Sequence, residues 1–227
     1  MADFKVRYCS GNGYICDRRK GAWVEMGEQN TSNIAANGAV LRRTVVLVGM
    51  MGSGKTAIGR NMAERLNVPY VDSDAEIETA ANATISEIFE RSGEPFFRDR
   101  ETEVINRLLQ SEPCVLSTGG GAFLAERNRA AISEHGIAVW LDADLDLLWE
   151  RVRHKDTRPL LRTANPRATL AAIFKERGPI YAKAELRALA DPAFSIDEMT
   201  DHVLDVLAQR PDTVSYTHLT LPTILRV

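Results

Sequence analysis

A three-layer α/β fold, with a five-stranded parallel sheet covered by helices on both faces, is predicted for this chain by three observations. Short apolar runs rich in β-branched residues alternate with segments of helical period, the pattern of βαβ units. The first of these runs leads directly into a glycine-rich loop and then an amphipathic segment. The composition, 44% hydrophobic and 26% charged over 227 residues, suits one globular core of about 170 residues plus extensions.

Taken in order, residues 1–43 show no sustained period of 2 or 3.6, and their glycines are scattered through polar surroundings, so an irregular extension is expected. Thr44–Val48 is the first strand. Ile58, Met62 and Leu66 recur every four residues and predict a helix with one apolar face. Residues 70–71 form the second strand. Thr84 followed by Glu87 has the spacing of a capping box and opens a helix, and another runs over about 95–109. Val115–Ser117 and 138–141 are the third and fourth strands, and a weaker run at 194–196 supplies the fifth. A basic segment over about 151–166, punctuated by Pro159 and Pro166, is expected to act as a mobile lid. The folded domain is therefore placed at 44–210. Residues 213–227 alternate Thr and Leu after Pro211 and read as translated adaptor sequence outside the fold.

Several function classes drop out on composition. A formal net charge of −3 does not suit a general nucleic-acid binder, which must neutralise many phosphates. Cys9, Cys16 and Cys114 offer neither a disulfide framework nor a CxxC metal spacing. No stretch approaches the roughly 18 apolar residues of a spanning helix, and residues 1–25 resemble neither a secretion signal nor a transit peptide. A cytoplasmic protein with no nucleic-acid or membrane partner is expected.

The most specific signal is GMMGSGKT at 49–56, which fits GxxxxGK[ST] between a buried-type strand and a helix. Glycines let the backbone aim its N–H groups at phosphate oxygens, and the following helix adds its positive end. Lys55 then reaches the β- and γ-phosphates, and Thr56 offers a hydroxyl to Mg²⁺. A chance glycine turn before a lysine is the plain alternative, and the flanking strand and helix argue against it. A P-loop nucleoside triphosphate site follows.

Further segments bear on the acceptor. Asp72 and Asp74 sit at the carboxyl edge of the sheet, where open α/β folds bind ligands, and alternation along an extended backbone points both the same way. One supports a metal through water and the other takes a proton from an attacking hydroxyl; a solvated acidic turn is the alternative. In FRDRE, Arg98 and Glu101 share a helix face, so Arg98 forks onto a carboxylate while Glu101 orients it, unless the two form a plain surface ion pair. TGGG at 118–121 removes side chains where a ligand must meet backbone, and it stands where many P-loop enzymes carry a metal-binding aspartate. Asp142 is a rival for that role, but is read as the N-cap of a helix over Leu145–Val152. Arg158 is placed to stabilise a transferring phosphoryl group and Arg177 to contact the acceptor, whereas Arg151, Arg153 and Arg162 are equally readable as solvated basic faces.

GMMGSGKT, DSD, FRDRE, TGGG, RPLL and ERGPIY, in this order over 44–210, resemble the shikimate kinase family. The resemblance implies a nucleoside monophosphate kinase-like P-loop fold and transfer of the γ-phosphate of ATP to the 3-hydroxyl of shikimate, a step of aromatic amino-acid biosynthesis. It implies that Gly52, Ser53, Gly54, Lys55, Thr56 and Ala57 wrap the nucleotide, with Thr56 on Mg²⁺ directly and Asp72 through water. Asp74 would bind the ring hydroxyls and act as base, Arg98 and Arg177 would clamp the carboxylate, Gly120 would donate its N–H to the substrate, and Arg158 would be the lid arginine. Lys55, Asp74 and Arg158 are then the catalytic set, and a monomer is expected. Met50 and Met51 occupy variable loop positions, and Thr56 stands where serine is more usual. Two alternatives remain open here: a related kinase of another carboxylated polyol such as gluconate, and a silent kinase-like binding module. The DSD, FRDRE and GGG set favours shikimate, and the presence of both Lys55 and Asp74 favours catalysis.

Overall fold

The structure, a computed structural model, describes residues 14–17, 22–25, 39–154, 159–210 and 212–216. The chain divides into two units, Met1–Ser32 and Asn33–Val227. The first contains β1 (Tyr14–Asp17) and β2 (Ala22–Glu25), paired antiparallel with Tyr14 opposite Glu25.

The second unit runs β3 (Ala39–Leu41), β4 (Thr44–Val48), α1 (Lys55–Leu66), β5 (Tyr70–Asp72), α2 (Ser73–Ala81), α3 (Ile85–Leu109), β6 (Val115–Ser117), α4 (Glu126–His135) and β7 (Gly136–Asp142). It continues with α5 (Leu145–Val152), α6 (Pro166–Tyr181), β8 (Leu186–Leu189), α7 (Ile196–Ala208) and β9 (Val214–Tyr216). Five strands form one parallel sheet in the order β5-β6-β4-β7-β8. β4 is buried at every position because it is central and covered on both faces, which is why its sequence is an unbroken apolar run. The chain leaves β4 toward β5 and later passes to β7 on the other side of β4, so the ligand crevice of a doubly wound sheet opens beyond the carboxyl end of β4.

The helices follow their local signals. Ile58, Met62 and Leu66 are buried on α1 as their spacing predicts, and Asn67 ends that helix in the left-handed conformation. Thr84 and Glu87 form the expected capping box of α3. That helix is broken at Gly93, so its two halves, predicted separately, run on with a kink between them.

The fifth strand is not at 194–196. Ser195 instead caps α7, its hydroxyl accepting from the Glu198 N–H while the Glu198 carboxylate accepts from the Ser195 N–H. The fifth strand is β8, a short edge strand whose LRAL sequence is exposed at two of four positions. β3 and β9 pair antiparallel, Val40 opposite Ser215, so ordered backbone extends on both sides of the 44–210 segment. Among the described residues, no helix is long and apolar enough to cross a membrane.

Candidate active site

The loop between β4 and α1 is set up to receive an anion. Gly54 caps α1 with φ 99°, a left-handed value that a side chain would strain. No acidic residue occupies the first turn of α1, so nothing on the helix itself neutralises its positive end. The Lys55 ammonium arches back over the loop and donates to the Gly49 and Met50 carbonyls at 2.9 and 3.0 Å. Ser53 is fully buried within the loop, and its hydroxyl has no hydrogen-bond partner among the described residues.

Beside this loop lies a cleft of about 360 Å³ lined by Gly52, Gly54, Lys55, Thr56 and Ala57 together with Arg151 and 194–196. Arg151 is no solvated basic face: its guanidinium lies against the Gly52 and Ser53 carbonyls at 3.4 and 3.5 Å, and burial lowers its pKa. Arg153, by contrast, pairs with Glu150 at the surface, and Arg162 is exposed. Arg158 lies outside the described residues.

On the acceptor side, Asp72 ends β5 and caps α2, its carboxylate accepting from the Asp74 N–H at 3.0 Å and from the Tyr70 hydroxyl at 3.2 Å. Asp74 therefore sits in the first turn of a helix, not on an extended strand, and the alternation argument for the pair does not hold. The chain turns because the Asp72 side chain caps the helix that begins at Ser73. The Tyr70 phenol stands between the hydroxyl of Thr56 and the carboxylate of Asp72, so the two oxygen groups expected near Mg²⁺ share a neighbour. Among the described residues no group of three or more His, Cys, Asp or Glu side chains could hold a metal alone. A hard cation here would draw on one hydroxyl, one carboxylate, water and phosphate oxygens, which suits Mg²⁺.

Burial pushes the Asp74 carboxyl above its ordinary pKa, and the Asp72 carboxylate pushes it the same way, while Lys55 and Arg98 oppose them. Arg98 reaches Glu101 at 2.9 Å and Glu94 at 3.1 Å. Glu101 is only 1% exposed, so this pair is not a plain surface bridge. Burial raises the Glu101 pKa, and the adjacent guanidinium offsets this.

The glycine turn after β6 explains its own composition. A Cβ on Gly119 would fall 2.6 Å from Asp74 Oδ1, and one on Gly121 would fall 2.8 Å from both terminal nitrogens of Arg98. Two glycines thus let the carboxylate and the guanidinium press onto backbone. Gly120 has more room, and its carbonyl accepts from the Tyr181 hydroxyl and, at 3.5 Å, from Arg177 Nη1. Arg177 Nε is buried with no hydrogen-bond partner among the described residues. Asp142 does not cap α5. Asp144 does so by accepting from the Leu147 N–H, and Asp142 accepts from Arg187 Nε at 2.8 Å.

The structure thus brings Lys55, Asp74, Arg98, Gly120 and Arg177 to one sheet edge. Tyr181 and 194–196 also border this edge without having been assigned to it from sequence, and Arg151, for which the sequence left both readings open, lies on the loop. Ser195 and Glu198 carried a readable capping-box signal for 194–196, and Tyr181 stands four residues after Arg177 on one helix face.

Residues 51–208 match the family model described as shikimate kinase. A shikimate kinase of Ruegeria pomeroyi is 62% identical over 188 residues, covering 82% of this chain and 96% of that protein. One of Cereibacter sphaeroides is 60% identical over 176 residues, 78% of this chain and 88% of the relative. Among solved structures, the shikimate kinase of Acinetobacter baumannii in complex with shikimate superposes with a TM-score of 0.69 at 38% identity, covering 74% of this chain and 93% of that one.

Proposed function

The chain belongs to the shikimate kinase family, and from that premise we propose how its own residues carry the transfer of the γ-phosphate of ATP to the 3-hydroxyl of shikimate. The observation that carries the assignment is Asp74: one half-buried carboxylate within electrostatic reach of both the phosphate-loop lysine and the arginine of the acceptor side.

The triphosphate lies on the N–H groups of 52–57, and Lys55 leaves its loop carbonyls for the β- and γ-oxygens. Arg151 and 194–196 wall the space beside the loop, where the nucleoside fits. Thr56 and Asp72 would hold Mg²⁺, the hydroxyl directly and the carboxylate through water, and the ion would neutralise phosphate charge. Arg98, stiffened by Glu94 and Glu101, and Arg177, whose buried Nε has no hydrogen-bond partner among the described residues, clamp the shikimate carboxylate. The 3-hydroxyl then attacks the γ-phosphorus in line, the bond to the bridging oxygen breaks, ADP leaves, and Asp74 takes the hydroxyl proton.

The Gly120 N–H is assigned to the substrate and Arg158 to the transferring phosphoryl group, with 151–166 closing as a lid. A monomer in the cytoplasm, where ATP is available, completes the proposal.

The clamp has a direct test. The carboxyl methyl ester of shikimate keeps the ring hydroxyls but loses the charge, so its binding to the wild type, followed by calorimetry, is expected to be weaker by about 10–10²-fold, the scale of one lost charge-assisted pair. Arg98→Lys and Arg177→Lys should narrow that gap. Equal affinities for acid and ester would remove both arginines from the role.

A further inference from the structure

We propose that Tyr181 is a positioning residue for the acceptor site: its hydroxyl, donated to the Gly120 carbonyl, locks the one peptide unit that lies between the two clamp arginines. The proposal rests on the reading of Arg98 and Arg177 given above.

The phenol is placed from β7 outward. Tyr181 closes α6, is 1% exposed, and stacks on Trp140 with ring centroids 6.5 Å apart and 26° between planes. Trp140 is in turn covered by the Arg187 guanidinium at 5.2 Å, and Asp142 holds Arg187. The ring therefore has little freedom. A buried tyrosine hydroxyl needs a partner, and here that partner is the Gly120 carbonyl. Burial holds the phenol above its ordinary pKa, with Arg177 opposing, so at neutral pH the group keeps its proton and donates.

The consequence runs through peptide geometry. In a trans peptide the carbonyl and the next N–H point in opposite directions, so fixing the Gly120 carbonyl toward Tyr181 turns the Gly121 N–H the other way. Gly121 is the residue against which the Arg98 guanidinium lies, and Arg177 reaches the same Gly120 carbonyl from one helical turn before Tyr181. The flanking peptides are held by backbone, the Gly119 carbonyl accepting from the Ala122 N–H and the Gly121 carbonyl from the Leu124 N–H. The Gly120 carbonyl accepts instead from side chains, Tyr181 and Arg177, so the tyrosine hydroxyl fixes the peptide that both arginines meet.

Tyr181→Phe removes the hydroxyl and keeps the ring stack. Steady-state kinetics should show the KM for shikimate rising about 5–10-fold, the scale of one net hydrogen bond, with the KM for ATP and kcat changed less than about twofold. Arg177→Lys is measured alongside, and the double variant should give a combined KM effect smaller than the product of the two. A drop in unfolding temperature with both KM values unchanged would mean that the hydroxyl serves only the fold, and would overturn the proposal. If Tyr181→Phe is silent while Arg177→Lys raises the shikimate KM, the positioning role fails and the clamp stands. If Arg177→Lys is silent too, the clamp reading fails and takes this one with it. Should the variant not fold, the wild type still decides by NMR: a slowly exchanging Tyr181 hydroxyl proton supports the bond, and fast exchange rules it out.

Discussion

Asp74→Asn is expected to lower kcat on shikimate by about 10²–10⁴-fold, the range for a positioned general base, while the protein stays folded. The expectation follows from where the carboxylate sits. It is pressed onto Gly119 and held within reach of Lys55 and Arg98, and burial together with Asp72 raises its pKa. A base of raised pKa is better matched to proton transfer near neutrality, and it must be ionised to act. In the wild type, kcat/KM should therefore fall as pH drops through a value above the ordinary aspartate range, and this acid limb should vanish in Asp74→Asn. For stability the sign is opposite. A group whose folded pKa is raised favours the fold while protonated, and that contribution is lost as pH rises through the folded pKa. Above the folded pKa the ionised Asp74 weighs against folding, so there the uncharged Asn should leave the unfolding temperature unchanged or higher. Near-normal kcat in this variant would remove Asp74 from the chemistry.

Lys55→Ala is expected to cost at least about 10²–10³-fold in turnover, the scale of losing one preorganised charge at the site of developing negative charge. The ammonium is held over the loop by two carbonyls, and it leaves them to meet the phosphate oxygens a short distance away. The loop conformation itself comes from Gly54 and the cap of α1, not from the lysine. Loss of two part-buried hydrogen bonds, together about 1–2 kcal/mol, should lower the unfolding temperature by about 2–8 °C for a chain of this size. A variant that kept more than a tenth of wild-type turnover would contradict the role given to Lys55.

What was legible in the sequence was what local chemistry decides. The apolar run before GMMGSGKT, the Ile58, Met62 and Leu66 stripe and the Thr84–Glu87 box each act within one element, and each appears where it was expected. The run at 194–196 misled because an apolar triplet outweighed the Ser195–Glu198 box beside it. β8 was missed because an edge strand that is half exposed has neither an apolar run nor a clean alternation. At the site, Arg98 with Glu101 was readable because the two are three apart on one helix. The contacts of Arg151 and Tyr181 were not, since Arg151 meets Gly52 99 positions away and Tyr181 meets Gly120 61 positions away. Such contacts exist only once the strand order is known. Asp72 and Asp74 were placed correctly at the sheet edge by a wrong argument, because an aspartate that ends a strand also caps the next helix.

The central claim is the acceptor, and the most direct measurement is ADP release by the full chain with MgATP, comparing shikimate, gluconate and no added acceptor. ADP formation that depends on shikimate, stays at background with the other two and disappears in Lys55→Ala is the predicted result. Release that is equal with gluconate, or that needs no acceptor, would contradict the account.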